Sequence, residues 1–210
     1  MFNICQRCGL WSDEQMVDPD GPYALCPHCG YRHWFRRLPL FVVTGPSGAG
    51  KSTLCIELAP NLPGYVCLES DILWGNVPAT AEDNYRGYWN IWLNLVTAIH
   101  QSGRSVVLFG TTLPDKLEAC PIRRYLSIIH YLTIVCADEE LARRLRDRPA
   151  WRQCDEAFIA NMVTFNRWLK EHANTTVPPM TLLDDTDLSI AQTASAIAQW
   201  IQDKSGNYTD

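Results

Sequence analysis

The sequence predicts an α/β protein: a parallel sheet with helices on both faces, and a small metal-bound module in front of it. Three observations carry that prediction. From residue 40 onward, five short apolar runs alternate with segments of helical spacing. A glycine-rich turn, Gly45-Pro46-Ser47-Gly48-Ala49-Gly50, follows the first run and opens the first helix. Two Cys-x-x-Cys pairs, Cys5/Cys8 and Cys26/Cys29, stand ahead of everything else, seventeen residues apart. Strands that alternate regularly with helices are joined by crossover connections, and these give parallel sheets covered on both sides.

The elements follow in order. Leu40–Thr44 is continuously apolar, as a strand buried on both faces should be. Lys51 to Ala59 has helical spacing and stops at Pro60. Tyr65–Leu68 is the second strand, Glu82–His100 a long amphipathic helix ending near Gly103, and Ser105–Phe109 the third strand. Ile128–Cys136 is the fourth strand, rich in β-branched residues. Asp138–Arg146 is a helix capped by Asp138, and Asp155–Lys170 is another. Met180–Leu183 is the fifth strand, Ser189–Gln202 the closing helix, and Lys204–Asp210 a frayed end.

The totals bound the answer. The 210 residues suit one domain with a small appendage, and 47 % hydrophobic residues suffice for a core. No apolar run approaches the length of a bilayer span, so no membrane partner is expected. Met1-Phe2-Asn3-Ile4-Cys5 lacks the basic and apolar stretches of a signal peptide, and the reading is a cytoplasmic protein. A net charge of -5 excludes a globally basic field for nucleic acid.

Cys5, Cys8, Cys26 and Cys29 match the spacing of a four-thiolate zinc site. Zn²⁺ takes four ligands in a tetrahedron, and two short knuckles supply them in pairs. The shell is then closed, so the metal is structural. A piece this small has little core and needs the metal to fold. The boundary falls where the pattern changes, giving a zinc ribbon at 1–37 and a second unit at 38–210. Cys55, Cys67, Cys120, Cys136 and Cys154 read as core residues. Tyr31-Arg32-His33-Trp34-Phe35-Arg36-Arg37 mixes bases with aromatics, which would suit a nucleic-acid strand. The overall acidity argues against that partner, and it is not favoured.

Gly45 to Ser52 fits G-x-x-x-x-G-K-[ST], and it lies between a buried strand and a helix, as a P-loop must. Gly45, Pro46, Ser47, Gly48, Ala49, Gly50, Lys51, Ser52 and Thr53 are the predicted nucleotide cradle. Their backbone N–H groups form an anion nest at a helix N-terminus. Lys51 brings charge to the β- and γ-phosphates, and Ser52 is a ligand for Mg²⁺.

The second strand ends in Glu69-Ser70-Asp71, at the sheet edge where ligands bind in open α/β folds. One carboxylate can reach Mg²⁺ or its waters, and the other can take a proton from an attacking hydroxyl. Asp71 is the preferred base, with Glu69 second. Five arginines lie in Arg143–Arg152, and Arg144 and Arg148 share one helix face, held down by Leu141 and Leu145. Arginine forks match the charge of phosphoryl transfer, and a segment carrying them can close over ATP as a lid. A solvated helix face would also look like this. Trp74, Tyr85, Tyr88, Trp89 and Trp92 suit either a stacking pocket or a core stripe. Arg86 and Asn90 lie beside them, within reach of acceptor hydroxyls. Trp74, Tyr85, Arg86 and Trp89, with Glu69 and Asp71, are the predicted acceptor contacts.

With these residues in place, positions 40–203 resemble the small P-loop kinases, the group that includes the shikimate, gluconate and adenylate kinases. The likeness rests on Gly45–Thr53, on Asp71, on Leu141-x-x-Arg144-Leu145-x-x-Arg148-Pro149, and on Leu182-Leu183-Asp184-Asp185-Thr186 before the last helix. It implies a P-loop NTPase three-layer fold with a five-stranded parallel core, an arginine lid, Mg-ATP as donor, an adenine-contacting loop after the last strand and a small-molecule acceptor. The third strand ends in Phe109-Gly110-Thr111-Thr112, without the Walker B acid of many P-loop NTPases. The hydroxyl-phosphorylating members resemble it in that. Strict nucleoside monophosphate kinases place arginines where Asp71 stands. The expectation is transfer to a hydroxyl, preferably of a nucleoside or similar ring-bearing alcohol. A nucleoside monophosphate kinase, or a nucleic-acid-associated NTPase with a docking ribbon, is the alternative. The sequence leaves the oligomeric state open.

Overall fold

The computed structural model describes residues 3–13, 15–77 and 82–206. The chain opens with three short strands, β1 (Met16–Val17), β2 (Tyr23–Leu25) and β3 (Arg32–Trp34). They pair antiparallel in the order β1-β2-β3. The two cysteine knuckles have the same backbone pattern. Gly9 N–H donates to Cys5 O at 2.9 Å and Gly30 N–H to Cys26 O at 3.0 Å. Cys5 N–H in turn reaches Leu10 O at 3.0 Å, and Cys26 N–H reaches Tyr31 O at 2.9 Å.

The rest alternates strand and helix: β4 (Leu40–Thr44), α1 (Lys51–Leu58), β5 (Tyr65–Glu69), α2 (Arg86–His100), β6 (Ser105–Phe109) and α3 (Pro114–Glu118). Then come β7 (Ile129–Val135), α4 (Asp138–Arg146), α5 (Glu156–His172), β8 (Met180–Asp184) and α6 (Ile190–Ser205). The five long strands form one parallel sheet in the order β5-β6-β4-β7-β8. Period-2 alternation along β4 splits the core in two. Leu40 and Val42 pack with Trp92, Leu93 and Leu169 on one face. Phe41 and Val43 pack with Leu54, Leu58, Ile197 and Ile201 on the other. The five-stranded three-layer fold expected from the sequence is the one observed.

Several boundaries differ, for local reasons. The second helix begins at Arg86, not Glu82. Asn84 and Tyr85 take positive φ of 54° and 60°, and the Asp83 carboxylate accepts from Gly87 N–H at 3.0 Å. Asp138 does not cap α4; that position belongs to Ala137. Its carboxylate instead accepts from Asn166 Nδ2 at 2.8 Å and pairs with Arg167 and Lys170, tying α4 to α5. Lys204 is helical rather than frayed, because the last turn of α6 is tied to the sheet: Ser205 Oγ lies 2.6 Å from Tyr65 Oη, and Ile201 is fully buried. The rest of the expected frayed end, 207–210, lies outside the described residues, as do Met1 and Phe2 of the expected leaderless start. α3 and the 3-10 turn Pro121–Tyr125 were not expected, being too short for a readable period.

The small sheet sits at one end of the large one. Ala24 and Phe35 are buried against Tyr125. Arg36 N–H donates to Gln101 Oε1 at 2.8 Å, and Arg124 Nη2 to Asp13 O at 2.9 Å. Gln101 lies just before β6 and Tyr125 just before β7, so these contacts fall at the N-terminal ends of the parallel strands. Ligand crevices of such sheets lie at the C-terminal ends.

Candidate active site

The C-terminal ends of β4, β5 and β6 open into one cavity of about 820 Å³. From β4 the chain turns directly into Gly45 and the loop that starts α1. Lys51 Nζ donates to Gly45 O at 2.9 Å and Pro46 O at 2.8 Å. Burial pushes its pKa down to about 8, with Arg148 acting the same way and Asp71 and Glu69 opposing. The Ser52 hydroxyl donates to the Glu69 carboxylate, so β5 delivers an acid to the residue that would hold Mg²⁺. Gly48 lies under α4, where a Cβ would fall 2.9 Å from Leu141 Cδ1 and 3.0 Å from Leu145 Cγ. The packing of α4 on the loop therefore requires glycine there.

Beyond Glu69 the chain enters a 3-10 turn, Ser70–Leu73, that carries Asp71 into the same cavity. Ser70 is buried, and Tyr88 donates its hydroxyl hydrogen to Ser70 O. At the end of β6, a Cβ on Gly110 would lie 2.2 Å from Ser70 Oγ, so only glycine allows this approach. Thr111 Oγ1 donates to Gly45 O at 3.0 Å, in the region where other P-loop proteins carry an acid.

Trp74, Tyr85, Tyr88 and Trp89 all line the cavity, while Trp92 lies wholly in the core. Tyr88 and Trp89 are also core residues, buried to 1 % and 4 % exposure, so both readings of the stripe apply to them. Trp74 lies 5.9 Å from Tyr85 and 5.5 Å from Tyr88, ring centre to ring centre. Arg86 is exposed at the start of α2 and does not line the cavity. Asn90 is taken up by the fold, its Oδ1 accepting from Ile122 N–H at 3.4 Å.

The two arginines separate. Arg148 lines the large cavity and a neighbouring one of about 340 Å³, whereas Arg144 lines only the smaller. Arg144 is bound by Glu140 at 2.8 Å and approached by Asp185 at 3.6 Å. Asp185 is buried, and desolvation raises its carboxyl pKa. The smaller cavity runs from Gly50 and Thr53 to Leu188 and Thr193, along the loop after β8.

Lys116, Trp151 and Arg152 also line the large cavity, and no sequence pattern marks Lys116. Its signal would have been position alone: it follows the end of β6, where strand-end loops meet ligand.

At the other end of the molecule the four cysteine sulfurs lie within 4.8 Å of one another. Cys5 Sγ is 3.6 Å from Cys29 Sγ, and Cys8 Sγ is 3.8 Å from Cys26 Sγ. A tetrahedron with ~2.3 Å Zn–S bonds puts sulfurs about 3.8 Å apart. The donor set thus fits a structural zinc ribbon.

The geometry defines a P-loop protein with a parallel sheet in the order β5-β6-β4-β7-β8 and the glycine loop between β4 and α1. A family model described as an AAA domain matches residues 42–157, and the chain belongs to that family. Among solved structures, the chain is similar to a sugar kinase from Janibacter sp. HTCC2649, with TM-score 0.56 and 17 % identity over 83 % of this chain and 99 % of that one. A gluconokinase from Sinorhizobium meliloti 1021 gives 0.51 and 18 %, over 81 % and 99 %. The tunicamycin resistance protein of Deinococcus radiodurans gives 0.50 and 15 %, over 78 % and 95 %. No curated protein matches by sequence. At these identities the likeness is one of fold. No helix among the described residues is long and apolar enough to cross a membrane.

Proposed function

We propose that the protein is an ATP-dependent phosphotransferase that moves the γ-phosphoryl group of Mg-ATP to a hydroxyl of a small, ring-bearing molecule. One observation carries this reading: Lys51 and Ser52 of the P-loop share a single cavity with the Asp71 carboxylate and an aromatic wall. Phosphoryl transfer needs donor phosphates, cation and acceptor hydroxyl in one place, with little further covalent chemistry for the protein to do. Lys51 and the loop amides hold the phosphates. Ser52 binds Mg²⁺, with Glu69 behind it. Asp71 orients the hydroxyl and takes its proton. Arg148, which faces both cavities, covers the transferring phosphoryl group from a lid, and Arg144 walls the base subsite beside Asp185. Trp74, Tyr85 and Trp89 hold the acceptor ring, for which a nucleoside is the preferred candidate. Residues 1–37 form a zinc-held ribbon domain on the kinase unit, 38–210.

The test is coupled ADP release by zinc-loaded protein with Mg-ATP, across nucleosides, nucleoside monophosphates, sugars and polar alcohols. The expected result is a rate that depends on one acceptor class and falls about 100-fold or more in Asp71→Asn. Hydrolysis that ignores every acceptor and rises with added RNA or DNA would overturn it.

A further inference from the structure

Mg-ATP and a neutral alcohol leave one cationic side chain of the large cavity without a partner. Four cationic side chains line it: Lys51, Lys116, Arg148 and Arg152. Lys51 is held at the P-loop by two carbonyls, and Arg148 reaches toward the smaller cavity. Arg152 lies over the Trp151 ring, 4.5 Å from its centre, in the segment that follows α4. Of the two acids, Glu69 is engaged with Ser52, and Asp71 is needed for the hydroxyl.

Lys116 stands apart from all of these. It comes from α3, after β6, and its Nζ lies 5.0 Å from the centre of the Tyr85 ring, at the aromatic end of the cavity. It makes no ion pair among the described residues. An aromatic face holds an ammonium only weakly and leaves its N–H donors free. A neutral acceptor filling this end would strip water from that ammonium and return nothing to it, which disfavours binding. An acceptor with a negative group at the same end would pair with it.

We propose that the acceptor is an anionic ring-bearing alcohol, with a carboxylate or phosphate monoester that meets the aromatic end of the cavity, and that Lys116 is the specificity residue that pairs with this anion. The proposal rests on the phosphotransferase reading and puts an anion-bearing ring in place of the neutral nucleoside preferred there, but the binding it describes is measurable without turnover. Lys116 sets affinity and choice of substrate, while Asp71 and the P-loop carry the chemistry.

The experiment titrates two matched pairs of probes: 4-(hydroxymethyl)benzoate against 4-(hydroxymethyl)benzamide, and uridine 5′-monophosphate against uridine. Saturating Mg²⁺ and a non-hydrolysable ATP analogue keep the P-loop from taking the anions. Trp74 and Trp89 line the cavity, so tryptophan quenching reports binding. The expected result is at least one anion bound about tenfold more tightly than its neutral partner, as a partly desolvated ion pair allows. Benzoate alone would identify a carboxylate, and the monophosphate alone a phosphate ester. Lys116→Met should shrink the preference below about twofold and Lys116→Arg should restore most of it, with affinity for the ATP analogue unchanged. Equal binding within both pairs, no saturable binding of either anion, or a preference that survives Lys116→Met would overturn the proposal. Anion preference without acceptor-dependent ADP release would sink the phosphotransferase reading and leave this one standing. ADP release with the neutral probes alone would do the reverse.

Discussion

At the scale of single residues, the site separates two acids that the sequence could only set side by side. Glu69 is the last residue of β5 and opposes Phe109 of β6, a register that fixes where its carboxylate begins. The carboxylate is bound to the Ser52 hydroxyl, while Asp71 stands free of that contact one turn further on. Groups that orient a metal ligand change metal affinity, commonly by about 10–100-fold when removed. Glu69→Gln should therefore raise the Mg²⁺ concentration needed for half-maximal rate by about tenfold, and saturating Mg²⁺ should recover most of the turnover. Asp71→Asn should show the opposite pattern, a lost rate at every Mg²⁺ concentration. A Glu69→Gln protein that stays slow in excess Mg²⁺, with an unchanged Mg²⁺ requirement, would transfer the base role from Asp71 to Glu69.

At the scale of elements, helix α2 shows what could be read from the chain and what could not. Its apolar period is plain from Tyr88 through Val96, and those residues do form the core under the sheet. Its start is not legible in the sequence, because Asn84 and Tyr85 leave the helical region through backbone conformation, which leaves no hydrophobic signature. Lys116 escaped for a related reason: α3 is five residues long, too short for any period to develop. The P-loop and the cysteine knuckles were legible because their chemistry depends on local spacing. Arg144 and Arg148 were legible as a pair, but their separation depends on Asp185, which is 41 residues beyond Arg144.

The far end of α2 also carries a pH dependence. His100 is fully buried, and neither ring nitrogen has a hydrogen-bond partner among the described residues. Burial pushes its pKa from 6.5 down to about 4. Between those values the unfolded chain binds the proton and the folded one does not, so stability falls as pH drops from 6.5 toward 4. The full effect below pH 4 is on the order of 3 kcal/mol. His100→Phe should flatten the curve of Tm against pH across this window while leaving the neutral-pH fold intact. An unchanged slope in that variant would assign the acid sensitivity elsewhere.

At the scale of the whole molecule, the ribbon and the cavity occupy opposite ends of one sheet. The ribbon touches the residues that lead into β6 and β7, and the cavity opens where β4, β5 and β6 end. The central strand β4 between them is fully buried, and Val107 and Phe109 of its neighbour β6 are at 0 % exposure. Loss of metal should therefore be a local event. The ribbon's own contribution to a core is small, centred on Ala24 and Phe35 against Tyr125, and cannot hold three strands of two or three residues. A zinc-selective chelator, with Mg²⁺ kept in excess, should release one zinc per chain and expose Trp11 and Trp34 of the ribbon to faster hydrogen exchange in their segments. Acceptor-dependent turnover should change less than about threefold, since none of the residues lining the cavity belongs to the ribbon. A purified protein with no stoichiometric zinc, whose ribbon amides stay protected after chelation, would show that the four thiols are held by packing alone. A turnover that collapses with the metal, and returns when zinc is added back, would instead mean that the sheet transmits the ribbon's state to the P-loop. The ribbon would then be a regulatory part of the protein and not merely an attached one.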